Sequence, residues 1–307
     1  MNTFNVPGKI YFKDGSAGVA LRELTEIYHY KRVLIITGAA SYAGGTASGI
    51  MNMLEKNGLS VAEYLVENAP VTTGDLRAAV QKLREFEPDA VIGIGAGEIM
   101  NAAKLLRILG ENTEIDPCDL AGIEAAAAVY AGGGNRKCML VLMPTSFGDG
   151  AQNTSFAAVS DEEGLHYLKG IRFIPEMTVT DAQFVKGKSP EAVKDEAGQL
   201  LGLAVRAFLN NESCEYTDGL LTEAIFSVLR YREAAAAGRP SALEKLHNAS
   251  TIAGSTFSNI YTDGAALQDS SLPAGDELSE EAAEKLDRLA EEYGCSGGTE
   301  FMELLTR

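Results

Sequence analysis

AVQKLREFEPDAVIGIGAGEIMNAAKLL, residues 79–106, passes from an amphipathic helix through a Pro-Asp turn into the apolar strand AVIGIG, then through a glycine turn into a second helix. Apolar residues at helical spacing followed by a short unbroken apolar run mark a helix leading into a buried strand. LRELTEIYHYKRVLIITG, residues 21–38, has the same grammar. Repeated helix-strand units predict an α/β fold with a parallel sheet. KCMLVLMPTSFGDG, 137–150, supplies a third strand, and SFAAVS, 155–160, with GIRFIPEMTVTD, 170–181, reads as further short strands or a hairpin. The α/β region therefore ends near Val185. From Ser189 the pattern changes to long helices, 189–210, 218–238 and 241–259, so an α/β domain over 1–186 is followed by an all-helical domain over 187–307. Ser189-Pro190-Glu191 and Ser241 are helix-start signals. IEAAAAVYAGGGN, 123–135, reads as an alanine helix ended by glycines.

A chain of 307 residues with 46% hydrophobic content can fill a core in each of two domains. Its net charge of -17 opposes bulk attraction to nucleic acid and to anionic membranes, leaving small-molecule chemistry or protein partners. The first thirty residues hold no apolar core of signal-peptide length, and no uncharged apolar run approaches a membrane span, so the expected location is the cytoplasm. Cys118, Cys138, Cys214 and Cys295 show no CxxC spacing and are expected to be reduced. Ser146 and Cys138 have no histidine near them in sequence, and no GxSxG elbow is present.

A turn at the carboxyl end of a parallel strand aims backbone N–H groups and a helix N-terminus at one spot, which suits a pyrophosphate. Gly93, Gly95 and Gly97 allow that approach, although a tight strand-helix junction needs glycine for packing as well. The order of segments, from VPGKIYFKDGS at 6–16 through LHNASTIAGSTFSN at 246–259, resembles the iron-containing alcohol dehydrogenases. That family's cofactor turn, GGGSxxDxAK, is matched by GAGEIMNAAK, which keeps Gly95, Gly97, Ala103 and Lys104. Its second segment, PTTAGTGSE, is matched by PTSFGDGAQ, which keeps Pro144, Thr145, Gly148 and Gly150. The resemblance implies a dinucleotide-binding α/β domain, a shortened helical domain, a ligand cleft between them and a homodimer.

The departures fall where a cofactor would sit. Glu98 replaces the serine of the turn and Asn101 its aspartate, while Asp149, Ala151 and Gln152 replace threonine, serine and glutamate of the second segment. An ionised carboxylate cannot donate to a phosphate and repels it. Glu98 could instead cap the helix, and Lys104 could neutralise a carboxylate or lie on the surface. Gly38 stands where NAD-preferring members carry an aspartate for the ribose, which favours NADP over NAD if a dinucleotide binds. The cofactor-facing set implied is thus Gly38, Gly95, Gly97, Glu98, Asn101, Lys104, Thr145 and Asp149.

The family binds its metal through an aspartate and a histidine four residues apart on one helix face, plus two later histidines. Anchoring on LAVRAF puts Gln199 and Leu203 at the first two positions and Ala266 at the third. The three histidines, His29, His166 and His247, are too scattered to form a cluster. Neither iron nor zinc is expected, and no catalytic residue is assigned. Three functions stay open: a catalytically impaired homologue that binds a ligand or partner, a metal-independent NADP(H) oxidoreductase, and a structural subunit of an active relative.

Overall fold

Three apolar runs, Val33–Ile36, Val91–Ile94 and Leu140–Met143, form the centre of the sheet, and their side chains are shut off from solvent. The structure, a computed structural model, describes residues 3–129, 138–273 and 278–306. Its α/β unit comprises Asn5–Ser146 and Ala151–Val185. In chain order it contains β1 (Lys9–Phe12), α1 (Ser16–Glu26), β2 (Arg32–Gly38), α2 (Ala39–Ala43), α3 (Thr46–Lys56), β3 (Ser60–Val66) and α4 (Thr73–Phe86). There follow β4 (Ala90–Gly95), α5 (Gly97–Glu111), α6 (Leu120–Ala128), β5 (Met139–Pro144), β6 (Phe156–Asp161), β7 (Gly164–Lys169) and β8 (Met177–Thr180).

Six strands pair in parallel in the order β1-β8-β5-β4-β2-β3. The other two, β6 and β7, form an antiparallel hairpin outside the sheet, with Asp161 opposite Gly164 at its tip. One sheet face packs on α4, α5 and the hairpin through residues such as Leu76, Leu83, Leu105 and Val159. The other packs on α1 and α3 through Leu21, Leu24, Ile50 and Leu54. Burial on both faces accounts for the unbroken apolar runs of the central strands. Across β2 the chain changes direction: β3 lies on one side of it and β4 on the other.

The second unit comprises Met1–Phe4, Phe147–Gly150 and Lys186–Arg307. It holds α7 (Pro190–Phe208), α8 (Glu215–Ala236), α9 (Pro240–Ile260), α10 (Glu280–Tyr293) and α11 (Gly298–Leu305). α8 packs against both α7 and α9. Ser189 caps α7 by accepting from the Ala192 amide at 3.2 Å, with Pro190 in the first turn. The third long helix starts differently from the sequence reading, because Pro240 rather than Ser241 opens it and Arg239 holds the cap position. The alanine helix ends at Ala128, and the glycines read as its stop lie outside the described residues. Among the described residues no helix is long and apolar enough to cross a membrane.

Candidate functional site

The strand order reverses between β2 and β4, and the carboxyl ends of the strands at such a switch point are where open α/β sheets bind ligands. Gly38 ends β2, and Gly95 ends β4. The Thr145 amide, just past β5, donates to the Gly95 carbonyl at 2.8 Å, which holds the second motif's threonine against the glycine turn. Ser41, which the sequence reading missed, joins them with its Oγ 3.4 Å from Thr145 Oγ1. Glu98 and Asn101 lie in the first turns of α5, both half-buried. Of the eight expected residues, Gly38, Gly95 and Thr145 therefore lie at or just past the carboxyl ends of neighbouring strands, and Gly97 and Glu98 open the helix that follows β4, with Asn101 one turn further along α5.

The glycines there answer to the protein's own packing. A methyl group on Gly95 would sit 2.5 Å from Ile99 Cγ1, and one on Gly38 would sit 3.1 Å from Ile99 Cδ1. A methyl group on Gly93 would meet both Ala103 Cβ and Leu142 Cδ2 at 2.9 Å. Ile99 thus requires glycine at the end of β4 whether or not a phosphate binds, while at Gly38 a side chain would only press on the tip of Ile99. The start of α5 is unfilled, with Ala96 at its cap position and no side chain accepting from its first amides. Glu98 is the acidic residue of that first turn.

One further expectation is corrected. Lys104 is no surface lysine: its side chain is completely buried, and its ammonium donates to oxygens of the 151–156 turn, leaving no exposed ammonium to face a phosphate. Asp149 falls in Phe147–Gly150, a stretch that clusters with the helical unit. There the Phe147 amide donates to Glu196 at 3.2 Å, and a methyl group on Gly148 would lie 2.3 Å from Gln199 Oε1. Gly150 has φ +64 and would meet Gly254 Cα at 2.7 Å. Spacing alone does not reveal that Lys104 is buried along with Ala102 and Ala103 beside it.

The remaining nucleophile and ligand candidates are also located. Burial pushes the Cys138 thiol up to about 12, so it stays protonated near neutral pH. His29 sits exposed in a left-handed turn with φ 57, His166 pairs with Asp161 at 2.7 Å on the hairpin, and His247 is buried within α9. Ala266 lies in the short helical turn Gly264–Gln268.

A model of the family "iron-containing alcohol dehydrogenase" matches residues 7–182, more than half of the chain. This chain belongs to the iron-containing alcohol dehydrogenase family. It is 29% identical to aldehyde-alcohol dehydrogenase 2 of Entamoeba histolytica, a match that covers 84% of this chain and 30% of that protein. It is 30% identical to an aldehyde-alcohol dehydrogenase of Clostridium acetobutylicum, over 84% of this chain and 31% of that one. The chain thus spans less than a third of the length of these relatives. In fold it is similar to an iron-containing alcohol dehydrogenase from Thermococcus thioreducens, with a TM-score of 0.84 at 19% identity, covering 99% of this chain and 84% of that one.

The family implies a metal, and the residues present do not fit one. On α7, Gln199 turns a neutral amide toward Gly148, and Leu203 is wholly buried among apolar side chains. Among the described residues no group of three His, Cys, Asp or Glu side chains is placed to hold a metal ion. For a dinucleotide the fit divides: the backbone at the strand ends and the open start of α5 suit a phosphate, while the Glu98 carboxylate opposes one.

Proposed function

We propose that this chain is a metal-independent member of the family, impaired in alcohol oxidation and aldehyde reduction, and that it acts by binding a small-molecule ligand or a protein partner. The observation that carries the reading is the state of α7. Leu203, one turn beyond Gln199, is fully buried, and neither residue offers the imidazole or carboxylate that a transition metal requires. Hydride transfer from an alcohol needs its oxygen polarised and the cofactor held in line, and here the groups for both are replaced. Elemental analysis of the purified protein is expected to find far less than one iron or zinc per chain. Oxidation of short alcohols with NAD or NADP, and reduction of the matching aldehydes, should stay at background in the same preparation. One tightly held transition metal per chain would overturn the reading. Turnover that survives a chelator would establish a metal-independent oxidoreductase instead, a role in which the absence of a carboxylate at Gly38 leaves room for NADP(H).

A further inference from the structure

Lys104 lies two turns into α5 and is completely shielded from solvent. Its Nζ lies 2.6 Å from Ala151 O, 2.7 Å from Phe156 O, 2.8 Å from Thr154 O and 3.0 Å from Thr154 Oγ1, four oxygens that share its three N–H donors. These acceptors come from a single stretch, the short helical turn Ala151–Asn153 and the entry to β6. Three carbonyl oxygens pointing inward repel one another unless donors fill the space between them; the Thr154 hydroxyl donates weakly to two of them, Ala151 O at 3.2 Å and Phe156 O at 3.4 Å, and the ammonium supplies the positive charge. Conversely, a buried ammonium is strongly disfavoured unless its donors are satisfied. Each side of this arrangement therefore requires the other, and the distances are those of charge-assisted hydrogen bonds.

We propose that Lys104 is a positioning residue whose ammonium serves as a tethered cation around which the 151–156 turn closes, fixing to α5 the point where the second motif ends and β6 begins. The motif lysine is then kept for the framework, like Gly95, which Ile99 requires, and not for phosphate. This holds whether or not the chain turns over an alcohol, so the outcome of the activity measurements does not affect it.

Lys104→Met retains the length and apolar packing of the side chain but removes its charge and donors. It is expected to lower Tm by about 5 °C or more and to raise amide hydrogen exchange across residues 151–156. Lys104→Arg, which keeps the charge, should lose less. Lys104→Ala opens the cradle. Propylammonium chloride at about 0.1 M should raise the Tm of that variant above its value in tetramethylammonium chloride of equal ionic strength, because only the former has N–H donors. The wild-type protein should not distinguish the two salts. A role in packing alone predicts the opposite pattern, with Lys104→Met melting within about 1 °C of wild type and exchange unchanged; that result, or a Lys104→Ala protein indifferent to the cation, overturns the proposal. If Lys104→Ala is insoluble in both salts, the Met and Arg variants decide.

Discussion

Glu98 is the residue at which the two demands on the glycine turn separate. Gly95 is explained by Ile99 and Gly93 by Ala103 and Leu142, so the retention of those two glycines says nothing about a ligand. The side chain at position 98 has no such constraint, being half-buried in the first turn of a helix whose amides no side chain caps. A carboxylate there interacts favourably with the helix dipole by roughly 0.3–1 kcal/mol and repels a phosphate approaching the same amides. Glu98→Ser should therefore lower Tm slightly and tighten NADPH binding, by about fivefold if about 1 kcal/mol of repulsion is removed. Part of the gain is relief of Coulomb repulsion that salt can screen, and it should shrink as salt is raised. Calorimetric titration of both proteins at two salt concentrations checks this; a variant that loses stability and still ignores NADPH would show that the turn is purely structural. Asp149→Thr asks the same question separately in the helical unit.

At the scale of elements, α1 and α5 make an instructive contrast. Both follow a strand at the carboxyl edge of the sheet, yet α1 has its anion built in: buried Asp181, just past β8, accepts from the Gly15 and Ala17 amides, each at 3.1 Å. It also accepts from Gln183 N at 3.0 Å. The start of α5 has no counterpart, which is why it alone of the two is a candidate ligand position. Asp181→Ala should cost about 2–3 kcal/mol, since it strips charge-assisted bonds from a buried helix end, and denaturant melts measure that loss directly. This anchor was not legible in the sequence, because Gly15 and Asp181 are brought together only when β1 pairs with β8. Elements whose own residues settle their burial were legible: β2, β4 and β5 from unbroken apolar runs, and α7 from Ser189 and Pro190. Short or edge strands were not, KIYF of β1 and SVAEYLV of β3 being half-exposed and without clear alternation. The candidate site divides likewise. Chain order placed Glu98, Gly95 and Thr145 together, whereas the burial of Lys104, the Ser41 hydroxyl and the place of Asp149 in the helical unit depend on contacts remote in sequence.

For the whole molecule the governing quantity is charge. The chain carries 43 acidic and 26 basic residues, a net -17 at pH 7. Such an excess opposes compaction, because folding brings like charges closer than they are in the unfolded chain. Opposing it are ion pairs such as Arg77–Asp116 at 3.3 Å and Lys194–Glu233 at 3.4 Å, whose side chains are all more than half exposed. Exposed pairs of this kind contribute about 0–1 kcal/mol each. Added salt screens attraction and repulsion alike, so the sign of its effect reports which is larger. Arg107, fully buried beside Glu111 at 3.8 Å and Glu176 at 3.9 Å, lies out of reach of that screening and should not move with salt. What remains exposed is mostly unbalanced negative charge. Raising sodium chloride from about 0.01 M to about 0.15 M, which shortens the screening length from about 30 Å to about 8 Å, should therefore raise Tm by a few degrees. Choline chloride should do the same at equal ionic strength, since the effect requires no bound cation. A fall in Tm would mean that the surface pairs outweigh the repulsion, and a rise with sodium alone would point to a specific ion site rather than to net charge.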